Sequence, residues 1–255
     1  MKGFIITLLL FCSFSLNAKD SDSIALSPVL IVHADSMPVS SGQLIVLPNQ
    51  GLFIVEGNTF YSLDTKRCPD IEKIRLLEKI PFEHIIVNDN EFVGKYKQFL
   101  MQMGEEKTEL LAEFDTGNFS IFNGRDSIVN IVTVEDNDSS VWYKLDRRTG
   151  ETECIIRNKE PIRKIVAGNH LDFCIIGNNI YYVNEKQCGE LVVSEQPILD
   201  MILLPLGLMF CTDDKLFLIE DDCVVPMGDG DFQGLLSDGN IVYVVMKNGN
   251  IWRLE

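Results

Sequence analysis

Basic charge is scarce in this 255-residue chain: Lys and Arg total 22 against 38 Asp and Glu, a formal net charge of −16. No run of Lys or Arg exceeds two residues, which argues against nucleic acid, because phosphate neutralisation needs clustered cations. Histidine is rarer still. His33, His84 and His170 are the three, and none stands in a spaced metal-binding pair. Cys-x-x-Cys does not occur, which argues against a zinc or redox dithiol site. There is no Gly-x-Ser-x-Gly elbow and no Gly-x-x-x-x-Gly-Lys phosphate loop. Beyond residue 16 no apolar run is long enough to cross a bilayer as a helix.

What is present begins with an address. Lys2 supplies a positive start, Phe4 to Leu16 is apolar apart from Thr7, Cys12, Ser13 and Ser15, and Leu16-Asn17-Ala18 ends in a small residue. This pattern predicts a signal peptide over 1–18 and one exported domain over 19–255, periplasmic or extracellular. A lipid anchor on Cys12 is the alternative, although Leu-Leu-Phe before it is a poor match to that processing.

The strongest signal is a repeated quartet: an aromatic, any residue, an apolar residue, then an acid or amide. It reads Tyr-Ser-Leu-Asp at Tyr61, Phe-Leu-Met-Gln at Phe99, Tyr-Lys-Leu-Asp at Tyr143, Tyr-Tyr-Val-Asn at Tyr181, Phe-Leu-Ile-Glu at Phe217 and Trp-Arg-Leu-Glu at Trp252. Successive aromatics are 38, 44, 38, 36 and 35 residues apart. A period near 40 marks stacked sheet units. Each quartet follows another apolar strand and a polar turn such as Gly177-Asn178-Asn179 or Asn248-Gly249-Asn250, and these are hairpin signals. A further strand lies on each side, so a repeat holds four strands, A to D.

Four antiparallel strands per period, repeated six times, resembles a generic β-propeller, an all-β fold, here with six blades. The resemblance covers nearly the whole chain after the address but matches no specific family: sialidase boxes and Gly-His/Trp-Asp pairs are both absent. The sixth quartet ends at Glu255, leaving that blade without strand D and with an open edge. Residues 28–33, Pro-Val-Leu-Ile-Val-His, are expected to supply it. Over 70–80, spacing by threes competes with alternation, and the repeat favours a strand.

Six cysteines follow the address: Cys68, Cys154, Cys174, Cys188, Cys211 and Cys223. Four of them open D strands in different blades, and pairs within one blade would be two strand spacings apart, roughly 9–10 Å, too far for a disulfide. They are expected to be small hydrophobes; Cys174 with Cys211 is the least implausible bridge.

In a propeller the B–C turns and D–A links share one face. The candidate ligand-face residues there are Glu83, Asp115, Glu160, Asp213 and Asp214, with Glu56, Asp136, Asp138 and Glu195 beside them. Asp229 and Asp231, in Gly-Asp-Gly-Asp, are the candidates for a Ca²⁺ site, against the simpler reading that Asp and Gly are what turns are made of. His84, next to Glu83, starts an inner strand at the channel mouth. Six-bladed lactonases resemble the chain in blade number and use a central divalent ion, but no ligand set of theirs maps onto these residues. The expected function is therefore an exported, non-enzymatic and monomeric interaction module. It would recognise a protein, peptide or glycan through the B–C and D–A face, with Tyr96 or Trp142 contributing as exposed aromatics, or Trp142 packed in the core instead. The alternative is a Ca²⁺-type hydrolase or lactonase at the channel mouth.

Overall fold

The computed structural model describes residues 28–38, 42–47, 50–56, 59–63, 74–75, 82–89, 91–103, 107–135, 139–184, 187–220 and 223–254. The signal segment, Cys12, Cys68, Asp136, Asp138 and most of 70–80 lie outside them.

The chain first lays down β1 (Pro28–Val32) and then repeats one unit. Blade 1 comprises β2 (Gln43–Leu47), β3 (Gly51–Glu56), β4 (Thr59–Ser62) and β5 (Ile74–Arg75). Blade 2 comprises β6 (His84–Asn88), β7 (Glu91–Tyr96), β8 (Phe99–Met103) and β9 (Thr108–Glu113). Blade 3 comprises β10 (Phe119–Asn123), β11 (Ile128–Val134), β12 (Ser140–Asp146) and β13 (Thr152–Asn158). Blade 4 comprises β14 (Ile162–Ala167), β15 (Asp172–Ile176), β16 (Asn179–Val183) and β17 (Cys188–Val192). Blade 5 comprises β18 (Asp200–Leu204), β19 (Gly207–Cys211), β20 (Lys215–Glu220) and β21 (Cys223–Asp229). Blade 6 takes β22 (Phe232–Ser237), β23 (Val242–Met246) and β24 (Ile251–Leu254), and β1 completes it as the outer strand.

Every sheet is four-stranded and antiparallel, and the first strands of the six blades neighbour one another around the ring. The chain is thus a six-bladed β-propeller closed by its N-terminal strand. Pro28 faces Leu254, Leu30 faces Trp252 and Val32 faces Ile251. Ala34 N–H adds a bond to Asn250 Oδ1 at 3.0 Å. The expected strand within 70–80 is present as β5, where Ile74 and Arg75 pair with Phe60 and Thr59.

Each blade packs a neighbour on both faces, which is why its strands read as continuous apolar runs rather than an in-out alternation. Along β20, Phe217 and Ile219 join the blade 4–5 core, and Leu216 and Leu218 join the blade 5–6 core. The quartet lies on one face this way in blades 1, 3, 4 and 5. In blade 2 the second quartet residue, Leu100, packs in the blade 2–3 core as Leu218 packs in the blade 5–6 core, and Phe99 and Met101 are half-buried. β8 and β9 pair through a register shift, as the third and fourth strands of blades 3, 4 and 5 do.

Trp142 takes the packed alternative. It is 0 % exposed, and its Nε1–H donates to Asn130 Oδ1 at 2.9 Å inside the blade 3–4 core. It is a packing residue. Cys174 and Cys211 are also fully buried, and the described cysteines, Cys154, Cys174, Cys188, Cys211 and Cys223, are all free thiols. Burial pushes the thiols of Cys174 and Cys211 up to about 12, so they are inert hydrophobes.

The β18–β19 hairpin turns on Pro205 and Leu206 and needs Gly207. Its φ is +147°, and a Cβ there would sit 2.0 Å from the Ile219 carbonyl oxygen. Gly207→Ala is expected to cost about 1–3 kcal/mol by overpacking, read as a lower urea midpoint with an unchanged m-value.

Candidate functional site

Innermost strands present their backbone edge toward the channel and the next blade, and edge N–H groups need partners. Polar residues at the start of these strands supply them. Gln43 donates Nε2–H to Ile85 O (2.6 Å) and accepts Ile85 N–H at Oε1 (2.7 Å), binding blade 1 to blade 2. Asp200 Oδ2 accepts Leu235 N–H at 3.0 Å, and its Oδ1 lies 2.8 Å from Lys164 Nζ. One carboxylate therefore joins blades 4, 5 and 6.

His84 begins β6 at the same level. Lys95 faces it across the β6–β7 pair, and Nζ of Lys95 reaches Glu83 Oε2 at 3.2 Å and lies 4.9 Å from the Phe119 ring centre. Burial, then the charges of Lys164 and Lys95, lower the His84 pKa to about 4. The imidazole is thus neutral at pH 7. The unfolded chain takes up a proton near pH 6.5 that the folded chain refuses until about pH 4, so stability falls as pH drops through that window. The full effect is on the order of 2–3 kcal/mol. His84→Gln is expected to flatten this part of the pH profile in denaturant titrations at pH 7.5, 6 and 4.5; an unchanged slope would place the histidine elsewhere.

The structure brings the sequence-derived carboxylates to the expected face but not to one point. Glu83, Asp115, Glu160, Asp213, Asp214, Asp229 and Asp231 are all exposed. Glu83 is held by Lys95, and its Oε1 accepts Lys97 N–H at 3.1 Å. Asp213 pairs with Lys247 in the adjacent blade. Asp214 Oδ1 accepts Thr212 Oγ1–H at 3.1 Å. Asn158 caps the link at Glu160, its Oδ1 accepting Glu160 N–H at 2.9 Å. The Gly-Asp-Gly-Asp link is zipped by its backbone to the neighbouring turns: Gly230 N–H to Asp214 O (2.9 Å), Phe232 N–H to Asp213 O (3.0 Å) and Lys247 N–H to Asp231 O (2.9 Å). Among the described residues no three of His, Cys, Asp and Glu are placed to hold a metal.

Sequence reasoning passed over the opposite face, where a cavity of about 630 Å³ opens between blades 3 and 4. It lies between the A–B turns, Gly124 to Asp126 and Ala167 to His170, with Lys144, Asp172 and Asn184 beside them. Lys144 Nζ is 2.6 Å from Asp172 Oδ2. Arg125 donates to the Gly168 carbonyl across the blade boundary. The signal available in the sequence was the polar content of these turns, which is also what any tight turn shows.

Together these features define a propeller scaffold with a stitched channel mouth. No protein-family model matches the sequence, and no curated protein matches it. Solved structures match its fold. A regucalcin, a calcium-binding protein from Agrobacterium tumefaciens, superposes with a TM-score of 0.60 at 10% identity, covering 92% of this chain and 95% of that one. The N-terminal domain of Nup159 superposes at 0.53 and 10% identity over 92% and 96%. The extracellular domain of a hybrid two-component system from B. thetaiotaomicron superposes at 0.58 and 8% identity over 91% of this chain and 33% of that one. Identities this low establish a shared fold.

Proposed function

We propose that the protein is an exported, non-enzymatic interaction module whose B–C and D–A face docks a cationic segment of a protein or peptide. One observation carries this reading: the carboxylates of that face are dispersed around an exposed rim, and those turned toward the channel are occupied by lysines. A dispersed acidic rim speeds and orients the approach of a positive partner. It does not concentrate charge for chemistry. Nup159, which shares the fold at 10% identity, is solved in a complex with dbp5.

The test is capture of partners from the host's envelope fraction by the mature protein and by a Glu160→Lys, Asp214→Lys, Asp231→Lys variant. A partner held by the wild type, released by 0.5 M salt and lost by the folded variant supports the reading. Equal capture by both proteins sinks it. The Ca²⁺-type hydrolase or lactonase reading requires three oxygens from different blades on one ion; a melting temperature that rises with calcium and falls with chelator would favour it.

A further inference from the structure

We propose that the cavity between blades 3 and 4 is a binding site for a small carboxylate-bearing polyol, the chemistry of an acidic sugar residue. It lies on the face opposite the partner rim, so the two assignments stand or fall separately.

The size and the lining set the class of ligand. A volume of about 630 Å³ falls within the range of ligand sites, roughly 300–1,000 Å³. Such sites are ordinarily apolar; this one is walled by Arg125, Lys144, Asp172 and the amides of Asn169 and Asn184. An apolar ligand would strip water from these groups and return nothing.

The donors and acceptors set the charge. Asp172 is committed twice: Oδ2 to Lys144, and Oδ1 to Gly168 N–H at 3.3 Å. The buried Asn130 is committed too, Oδ1 to Trp142 and Nδ2–H to Asn123 O at 3.0 Å. The donors are not used up. Lys144 has spent one of its three N–H groups on Asp172 and Arg125 one of its five on Gly168. Outside these pairs the lining holds one carboxylate, the exposed Asp126, against spare donors on both Lys144 and Arg125, a balance that favours an anion rich in oxygen. Arg125 offers the planar fork that matches a carboxylate. The Asn169 amide at the rim is suited to hydroxyls. The Lys144–Asp172 pair and the Arg125–Gly168 bond both cross the blade boundary, so the walls are held before a ligand arrives.

The test is calorimetric or NMR titration with sodium D-glucuronate, with D-glucose matching its hydroxyls and sodium acetate matching its carboxylate. Glucuronate is expected to bind at least tenfold tighter than either comparator. Arg125→Ala is expected to weaken glucuronate about tenfold, the loss of one charge-assisted contact. Asp126→Asn, which removes an exposed like charge from the rim, is expected to tighten it about threefold. Arg157→Ala, on an outer strand, is expected to change nothing. Glucose binding as well as glucuronate, acetate binding as well as glucuronate, no saturable binding of any probe, or an unaltered Arg125→Ala each overturns the assignment. Should Arg125→Ala fail to fold, Asp126→Asn decides, and no gain in affinity overturns it.

Discussion

Deleting residues 28–33 is expected to lower the melting temperature by about 6–12 °C and to make the protein self-associate. The shift corresponds to roughly 3 kcal/mol for a chain of this length. Val32 is 6 % exposed and packs with Leu52 of blade 1 and Tyr243 of blade 6, with Ile31 against the same cluster. Full burial of one such side chain is worth about 1.5–3 kcal/mol. The pairs from Pro28–Leu254 to Val32–Ile251 are lost as well, leaving β24 as an open edge that another chain can join. Differential scanning and size-exclusion measurements check both parts. Val32→Asp should reproduce the loss of stability with the strand present, because a carboxylate in that core has no partner. If the deletion melts with the intact protein, β1 does not close the ring.

Arg147→Ala is expected to cost about 2–4 kcal/mol, an unusual penalty for a residue in a turn. Arg147 follows β12 in blade 3, yet its side chain is 3 % exposed because it crosses into blade 2. Nε–H donates to Asn88 Oδ1 at 3.0 Å, Nη2–H to Asn88 O at 3.2 Å and Nη1–H to Gln102 Oε1 at 2.8 Å. Asn88 in turn donates to the carbonyls of Gly124 (3.1 Å) and Ile128 (3.0 Å) in blade 3. Truncation leaves the buried Asn88 acceptors unpaired, and that is the main loss. The ion pair with Glu91 contributes less, since Glu91 is 48 % exposed; Glu91→Gln is expected to cost under about 1 kcal/mol. Arg147→Lys should recover less than half, because an ammonium cannot replace a planar fork. Urea titration of the three variants gives the ranking, and Glu91→Gln costing as much as Arg147→Ala would reverse the argument.

The fold was legible because a propeller repeats one local problem. Aromatic and aliphatic residues at Tyr61, Leu63, Tyr181, Val183, Phe217 and Ile219 fill the same inter-blade position, and turn residues recur between them. Even the closing strand could be read, since a blade lacking its outer strand implies a donor. Trp142 shows the limit. Its neighbours in sequence do not tell which side of β12 meets blade 4, so an interior and a surface tryptophan read alike there. The stitching side chains Gln43, Lys164 and Asp200 were not distinguished either. Gln43 and Asp200 each find a backbone group one blade further on, and Lys164 finds the Asp200 carboxylate there. Strand counting assigned the candidate carboxylates to the B–C turns and D–A links. Where they aim depends on partners such as Lys95, across the same hairpin as Glu83, and Lys247, which only the ring brings near Asp213. The blade 3–4 cavity has no counterpart in sequence spacing, because it is the gap between two turns 43 residues apart, as the Arg125–Gly168 bond measures it.

The seam in blade 6 sets the order of events during synthesis. Ala34 and Asn250, bonded across it, are 216 residues apart in the chain. Blades 1 to 5 can each pair from strands made in succession, whereas β1 must wait for β24, made after all the strands between them. Contacts of such long sequence separation are the slow ones. Until they form, β1 is unpaired and β24, joined to β23 on one side, keeps an open edge, so blade 6 is completed only after β24 has left the ribosome.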